Sequence, residues 1–439
     1  MSNYVIIGTG PAGVAAAQTI RSQDTQSRIT LIGDEPWGYY SRPGLAYYLT
    51  GELPKKGLFP ISTAEFQNLN VRILHTRVRA IHPNDHHIEN QAGKMLPYDR
   101  LLIATGARAA RMDIPGIHLQ GVMVLDNLTD AQMLLKSARR TRSAVVVGGG
   151  ITALEIVEGL VSRGVRTHYF LRGDRYWSNV LDETESRIVE NRLREEGVHL
   201  HYHTELAKII AKRGQVAGVL TKNNQHIKAK MLAVAIGIRP RLELAVTAGL
   251  KTDRGIVVNE YLQTTQPDIF AAGDVAQVYD VLTGKSVVDS LWGPARDQGH
   301  AAGLNMMGIT TPYIKPIPFN VTRLAGLTTT IIGTVGQGTD EDLIGIARGD
   351  SETWRQLPDA IAAQSNFEVN RLRIMVGRNR LIGAIVMGDQ TLSQPLHHLI
   401  THRIDITPIR ASLLRSDIKI GDLIANFWSQ HRSTIHATK

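Results

Sequence analysis

Short apolar runs that end in glycine recur along this chain. Tyr4-Val-Ile-Ile-Gly8 reads as a buried strand, Ala12–Ile20 has helical composition, and Arg28-Ile-Thr-Leu-Ile-Gly33 reads as a second strand. Strand, tight turn, helix and strand in that order open a doubly wound sheet. A loop is expected over 35–60. Shorter strands follow near Val71–Leu74, Val78–His82 and His86–Asn90, and Leu101–Gly106 closes the region with another buried strand. The pattern then restarts after about 140 residues. Ser143–Gly148 is a strand, Ile151–Ser162 a helix and Val165–Leu171 the next strand, and Met231–Gly237 ends this unit much as 101–106 ends the first. From Ile256 to Gly308 the chain reads as strands and then a helix. Beyond Pro312 the character changes: Arg371–Val376, a Gly377-Arg378-Asn379 turn and Arg380–Met387 predict a β-hairpin, and His431–Lys439 reads as frayed. The predicted fold is α/β. Two Rossmann-like dinucleotide-binding domains, 1–112 with 240–312 and 113–239, precede a C-terminal α+β domain over 313–439.

Length and composition agree with that division. The chain has 439 residues, 43% hydrophobic and 20% charged, enough for several globular cores. The sequence has no uninterrupted apolar run of about 18 residues, so a membrane span is not expected. Met1-Ser2-Asn3 runs straight into the first strand, leaving no room for a signal peptide, and the expected address is cytoplasmic. The cysteine count is zero, which excludes disulfide frameworks, thiolate zinc sites and every cysteine-based redox mechanism. The net charge is +9, which serves equally as a solvated basic surface or as a docking face for an acidic partner. Nucleic acid is not expected, because the basic residues are spread along the chain and aromatics are only 5%.

Gly8-Thr9-Gly10-Pro11-Ala12-Gly13 lies between strand and helix, the context in which such a motif holds a dinucleotide. Gly8 permits the tight turn, Gly10 lets the backbone approach a pyrophosphate, and Gly13 lets helix and strand pack closely. Asp34 and Glu35 follow the second strand, where a carboxylate accepts hydrogen bonds from a ribose. Gly148-Gly149-Gly150-Ile151-Thr152-Ala153 repeats the motif, with Ala153 where a third glycine would stand. No carboxylate ends its second strand. Arg172 and Arg175 there favour a 2′-phosphate and hence NADPH, although surface arginines beyond a strand have the same appearance. His199, His201 and His203 alternate along one strand face and so do not converge on one ion. His398 and His402 lie one helical turn apart without an intervening HExxH-type glutamate, and no metal site is expected.

Thr265-Gln-Pro-Asp-Ile-Phe-Ala-Ala-Gly273-Asp274 resembles the second FAD motif of the FAD-dependent pyridine nucleotide (disulfide) oxidoreductases, the glutathione-reductase structural class. Ala104-Thr105-Gly106 and Ala235-Ile-Gly237 resemble that family's domain-crossover motifs. The likeness runs from Tyr4 to about Gly308, and it implies two cofactors, FAD and NAD(P)H, with Asp274 bonded to the FAD ribityl chain. Asp34-Glu-Pro followed by Tyr40-Ser-Arg42-Pro43-Gly-Leu resembles the branch of rubredoxin, ferredoxin and putidaredoxin reductases, the flavoprotein portion of assimilatory nitrite reductase and the apoptosis-inducing factor. There the arginine matching Arg42 contacts FAD. Leu381–Asp389 also resembles the branch's C-terminal domain. Many members place a lysine five residues after that arginine, paired with a glutamate of the second glycine motif. Here Glu155 is present but Tyr47 stands in place of the lysine, so that ion pair cannot form. Trp292-Gly293-Pro294-Ala295 reads as a helix start with Pro294 at the first position, its positive end aimed at the flavin and Trp292 flanking the ring.

The resemblance implies hydride transfer from NAD(P)H to FAD, then electron transfer to an acidic carrier of the rubredoxin or ferredoxin type, by a monomer or homodimer. Tyr47 leaves open a binding or signalling flavoprotein that keeps both nucleotides as ligands. Leu413-Leu414, Ile418, Ile420, Leu423-Ile424 and Phe427-Trp428 beside Arg415, Lys419 and Arg432 leave open a peripheral quinone reductase anchored by its tail.

Overall fold

A computed structural model describes residues 1–335, 361–367, 370–415 and 418–437. The chain forms two compact units, Met1–His168 with Leu206–Lys315, and Tyr169–Glu205 with the described residues from Pro316 onward.

The first unit is built on a five-stranded parallel sheet in the order Ile269–Ala271, Arg100–Ile103, Asn3–Ile7, Arg28–Gly33, Arg72–His75. Apart from the edge strand Arg72–His75, its strands are buried on both faces, which is why they read as continuous apolar runs. The helices Pro11–Gln23 and Trp292–Met306 pack together on this sheet. Small residues make their seam: a Cβ on Gly299 would lie 2.1 Å from the Ala12 carbonyl oxygen, and one on Gly303 3.0 Å from that of Ala16. Glycine is therefore required at position 299 for the helices to approach so closely.

A second parallel set, Val122–Met123, Met231–Val234 and Ser143–Val147, lies in the same unit. Antiparallel sheets flank the two sets: Val78–His82 with His87–Asn90 and Met95–Pro97, and Leu206–Lys212 with Gln215–Thr221 and His226–Ile227. The crossover segments Ala107–Ala109 and Ile238–Pro240 pair antiparallel with each other. The region 35–60, expected as a loop, instead contains the helix Gly44–Thr50 and a 3-10 turn Lys55–Leu58. Leu45, Leu49 and Leu58 are buried there, so tertiary packing supplies the order that local composition did not signal.

The second unit holds a five-stranded antiparallel sheet, Phe319–Leu324, Leu327–Gly333, Leu381–Met387, Asn370–Val376 and Ile361–Phe367 in that order. The predicted hairpin is its central pair of strands. The helices Ser393–Thr401, Thr407–Leu413 and Ile420–Ala437 cover one face, and Leu413, Ile420 and Ile424 are buried in that core with Leu423, Phe427 and Trp428 packed against it. That core takes up the stripe read as a membrane anchor, apart from Leu414, which stays exposed, and Ile418, which is half-buried. The expected fraying from His431 is likewise corrected, since the helix continues to Ala437; the last two residues lie outside those described.

Residues 169–205 belong to this unit through buried charge. Arg373 donates to Glu185 at 2.8 and 3.0 Å, and Arg371 donates to Asp182 at 2.7 Å. Asp182 and Glu185 form the capping box of the helix Glu183–Glu195. The arginines thus reach the helix start, where the backbone already holds both carboxylates in place.

Candidate functional site

The first unit contains a cavity of about 490 Å³ at the C-terminal ends of the five parallel strands, the position at which doubly wound sheets bind ligands. Gly8 turns the chain from strand to helix with φ +125°, and a Cβ there would lie 2.0 Å from the Ala104 carbonyl oxygen. Gly10 caps the helix Pro11–Gln23 and has no heavy atom within 4 Å of a Cβ position, so its outer face is open to the cavity. Pro11 occupies the first helical position and Ala12 follows it on the cavity wall. Gly13 lies beneath, where a Cβ would meet the Gly8 carbonyl oxygen at 2.0 Å. An open glycine at a helix N-terminus is the backbone cradle a pyrophosphate requires.

The remaining walls bring together residues far apart in sequence. Asp34 and Glu35 line one side, Ala104, Thr105 and Gly106 the floor, and Gly273, Asp274 and Ala295 another side. Arg42 donates to Glu35 and to the Asp126 carbonyl, while the Tyr40 hydroxyl donates to the second Glu35 oxygen at 2.7 Å. Burial opposes the charge on Arg42, but the fields of Tyr40, Glu35, Asp126 and Asp274 outweigh it and hold its pKa above the ordinary value. Glu35 is thus occupied in fixing Arg42, whereas among the described residues Asp34 has no such bond. Pro43 also lines the cavity.

Trp292 stands at the cavity mouth, 42% exposed, its indole N–H donating to the Tyr39 hydroxyl at 3.3 Å and its ring beneath Arg296 at 4.9 Å. It is the first residue of its helix, so Pro294 falls third and not first as the sequence suggests. Proline is tolerated there because amides of the first turn have no intrahelical acceptor. The helix start, with its positive end, faces the cavity through Ser290, Leu291 and Trp292.

The second glycine motif repeats the first in backbone detail. Gly148 has φ +146°, and a Cβ there would lie 2.0 Å from the Ala235 carbonyl oxygen. The Ala235 amide donates to Val147 at 2.8 Å, as the Ala104 amide donates to Ile7 at 2.8 Å. Gly150 caps the helix Ile151–Val161, which begins at Ile151, and Ala153 is fully buried below it. Gly237 takes φ +113° at the crossover. None of these residues lines the 490 Å³ cavity, nor do Tyr47 and Glu155. Tyr47 is 40% exposed on the helix Gly44–Thr50, which packs on Ile151–Val161. In the second unit Arg172 is exposed, while Arg175 donates to both oxygens of Asp174, at 3.0 and 3.2 Å.

Sequence reading missed Arg77, Arg79, Asp126 and Arg241 on the cavity wall. Arg241 donates to Asp126 at 3.1 Å across 115 residues, a pairing without any local sequence signal. Among the described residues, no three His, Asp or Glu side chains gather as metal ligands, and no helix is long and apolar enough to cross a membrane.

Residues 2–299 match the model of the pyridine nucleotide-disulphide oxidoreductases. The chain belongs to that family. A rhodocoxin reductase of Rhodococcus erythropolis is 33% identical over 337 residues, covering 74% of this chain and 78% of the relative. The NADH-dependent phenylglyoxylate dehydrogenase subunit epsilon of Aromatoleum evansii is 26% identical over 97% of this chain and 98% of the relative. The NAD(P)H nitrite reductase of Bacillus subtilis (strain 168) is 25% identical over 92% of this chain, which spans only 48% of that relative. Among solved structures, the covalent putidaredoxin reductase–putidaredoxin complex aligns with a TM-score of 0.83 at 24% identity, over 97% of this chain and 98% of that one. Membership makes the chain an FAD-dependent NAD(P)H oxidoreductase, and the cavity fits FAD: its open glycine cradle suits a pyrophosphate, and its carboxylates suit hydroxyls. Unlike the disulphide reductases that give the family its name, this chain has no cysteine.

Proposed function

We propose that this oxidoreductase feeds electrons to a separate acidic carrier protein of the iron–sulfur type. The observation that carries the reading is the duplicated glycine–crossover contact, Gly8 against Ala104 and Gly148 against Ala235, in a chain without cysteine. It supports one dinucleotide site in each half and electron exit without a dithiol. In this reading 1–112 with 240–312 serves FAD, 113–239 serves the nicotinamide nucleotide, and 313–439 is an interface domain. Bound in the first cavity, FAD supplies hydride acceptance and one-electron release.

The chain's own groups do the holding. The Gly8–Gly10 backbone and the start of the helix at Pro11 meet the pyrophosphate, Asp34 the adenosine ribose and Asp274 the ribityl hydroxyls. The Trp292 helix start places its partial positive charge where negative charge gathers on reduction. Arg172, exposed past a strand with no terminal carboxylate, meets a 2′-phosphate and selects NADPH; Arg175 is already engaged by Asp174. The +9 net charge favours an acidic partner, and the expected setting is the cytoplasm. Stopped-flow mixing with NADPH and NADH tests the reading: bleaching of the bound flavin is expected, faster with NADPH. A flavin that bleaches with neither nucleotide overturns it.

A second reading is favoured by the whole-length match to a dehydrogenase subunit. Here the acceptor is a permanent partner subunit, and the protein isolated from its source organism would elute as part of a stable larger complex.

A further inference from the structure

Lys315 completes a buried group of charges behind the cavity wall. Its side chain is fully covered, with Nζ 3.4 Å from Asp289 Oδ2 and 3.9 Å from Asp280 Oδ2. Asp280 ends the strand Ala276–Asp280, Asp289 follows the strand Lys285–Val288 paired to it, and both carboxylates are buried. Asp280 Oδ1 accepts from the Leu282 amide at 3.0 Å. Among the described residues, Asp280 Oδ2, both Asp289 oxygens, Lys315 Nζ, the Tyr313 hydroxyl and the Gln298 Nε2 make no hydrogen bond of full geometry, although Lys315 and the Leu291 amide approach Asp289, and Gln298 approaches the Tyr313 hydroxyl, closely enough to pull on their protons. Gln298 is fully buried, and its Oε1 accepts from the Gly273 amide at 2.8 Å, which ties the group to the Gly273-Asp274 wall. Asp289 directly precedes Ser290, Leu291 and Trp292, which line the same cavity. Asp297, exposed on the helix Trp292–Met306, is the other acid whose field reaches Tyr313.

Two carboxylates against one ammonium would leave net negative charge in a place without solvent. Such a charge is removed by protonation sooner than it is tolerated. Burial pushes the Asp289 carboxyl above the usual carboxylate range even against the pull of Lys315. We propose that Asp289, buried beside Lys315 and Asp280, is a proton-holding site: it carries a proton at neutral pH, and it binds that proton more firmly when negative charge enters the adjoining cavity. The proton is exchanged with solvent, and no electron or heavy-atom bond changes at the site. The second clause rests on the flavin reading above, and the first does not.

Infrared spectroscopy of the full chain reads a protonated carboxyl through its C=O stretch. In wild-type-minus-variant spectra at neutral pH, the band should be lost in both Asp289→Asn and Asp280→Asn, because each leaves one carboxylate against Lys315. Lys315→Met should instead raise it about twofold, since both carboxylates then need a proton. Variants are compared only where the wild-type melting transition is kept, and the three changes fall on separate segments, so any folded one decides. A flat difference for the Asp→Asn variants, or no gain in Lys315→Met, overturns the held proton. For the coupling, the midpoint potential of the bound flavin should fall more steeply with pH in wild type than in Asp289→Asn, and equal slopes overturn it. Spectra taken before and after flavin addition keep a failure to bind FAD distinct from a missing proton.

Discussion

Gly8 and Gly10 separate folding from binding within three residues. A methyl at position 8 meets the Ala104 carbonyl at 2.0 Å in a left-handed backbone, so Gly8→Ala should destabilise the protein by about 3 kcal/mol, measured by urea unfolding. A methyl at position 10 meets no protein atom, so Gly10→Ala should leave stability within about 0.5 kcal/mol of wild type while FAD affinity falls roughly tenfold or more, measured by flavin titration. The tight turn at Gly8 and the open backbone at Gly10 were both legible from the motif's place between strand and helix. The roles of Glu35 and Asp126 were not: what Glu35 does is decided by Arg42 and Tyr40, and Asp126 takes its partner Arg241 from 115 residues away. His397 supplies a pH dependence. Burial, and then the neighbouring His402, hold its pKa below the ordinary 6.5. Unfolding lets the value rise, so the unfolded chain binds more protons between the two. The stabilisation is complete above the unfolded value and is lost as pH falls through the folded one. Urea unfolding at about pH 7.5 and about pH 5 should show weaker wild-type stability at the lower pH, and a smaller difference in His397→Gln.

At the scale of elements, the helix Glu183–Glu195 is held to the sheet of its unit by Arg371 and Arg373 through its own capping box. Among the described residues, Arg373→Met leaves the buried Glu185 with the Asp182 amide at 2.9 Å and only the more distant Arg371, 3.8 Å away, as a charge partner, and should cost about 3 kcal/mol in chemical denaturation. Adding Glu185→Gln to Arg373→Met should restore part of that loss, because the uncompensated charge is gone. The inner strands of the parallel sheet were readable because they are buried on both faces, giving unbroken apolar runs that end in glycine; their order across the sheet had no such signal. The helix Gly44–Thr50 was not readable, since seven residues are too few to show a helical period and its stability comes from burying Leu45 and Leu49. The tail was ambiguous for the opposite reason. An amphipathic stripe with flanking arginines has one appearance whether a sheet or a lipid surface covers it, and the core around Ile424 shows that a sheet does.

At the scale of the molecule, net charge is the property a partner meets first. If the acceptor is an acidic carrier, raising ionic strength from about 0.01 to 0.15 M should slow its reduction roughly tenfold, as the screening length falls from roughly 30 to 8 Å. The bleaching of bound flavin by NADPH should respond less, which two stopped-flow series at matched salt would compare. The seam of Ala12, Ala16, Gly299 and Gly303 sets how the first unit answers its ligand. With small groups between the backbones, and Thr19 Oγ1 hydrogen-bonded to His300 Nδ1 at 2.8 Å along the same seam, sliding or tilting one helix alone would break close contacts. A displacement at the Gly10 end of one is therefore passed to the Trp292 end of the other, as through the two arms of a closed pair of tweezers.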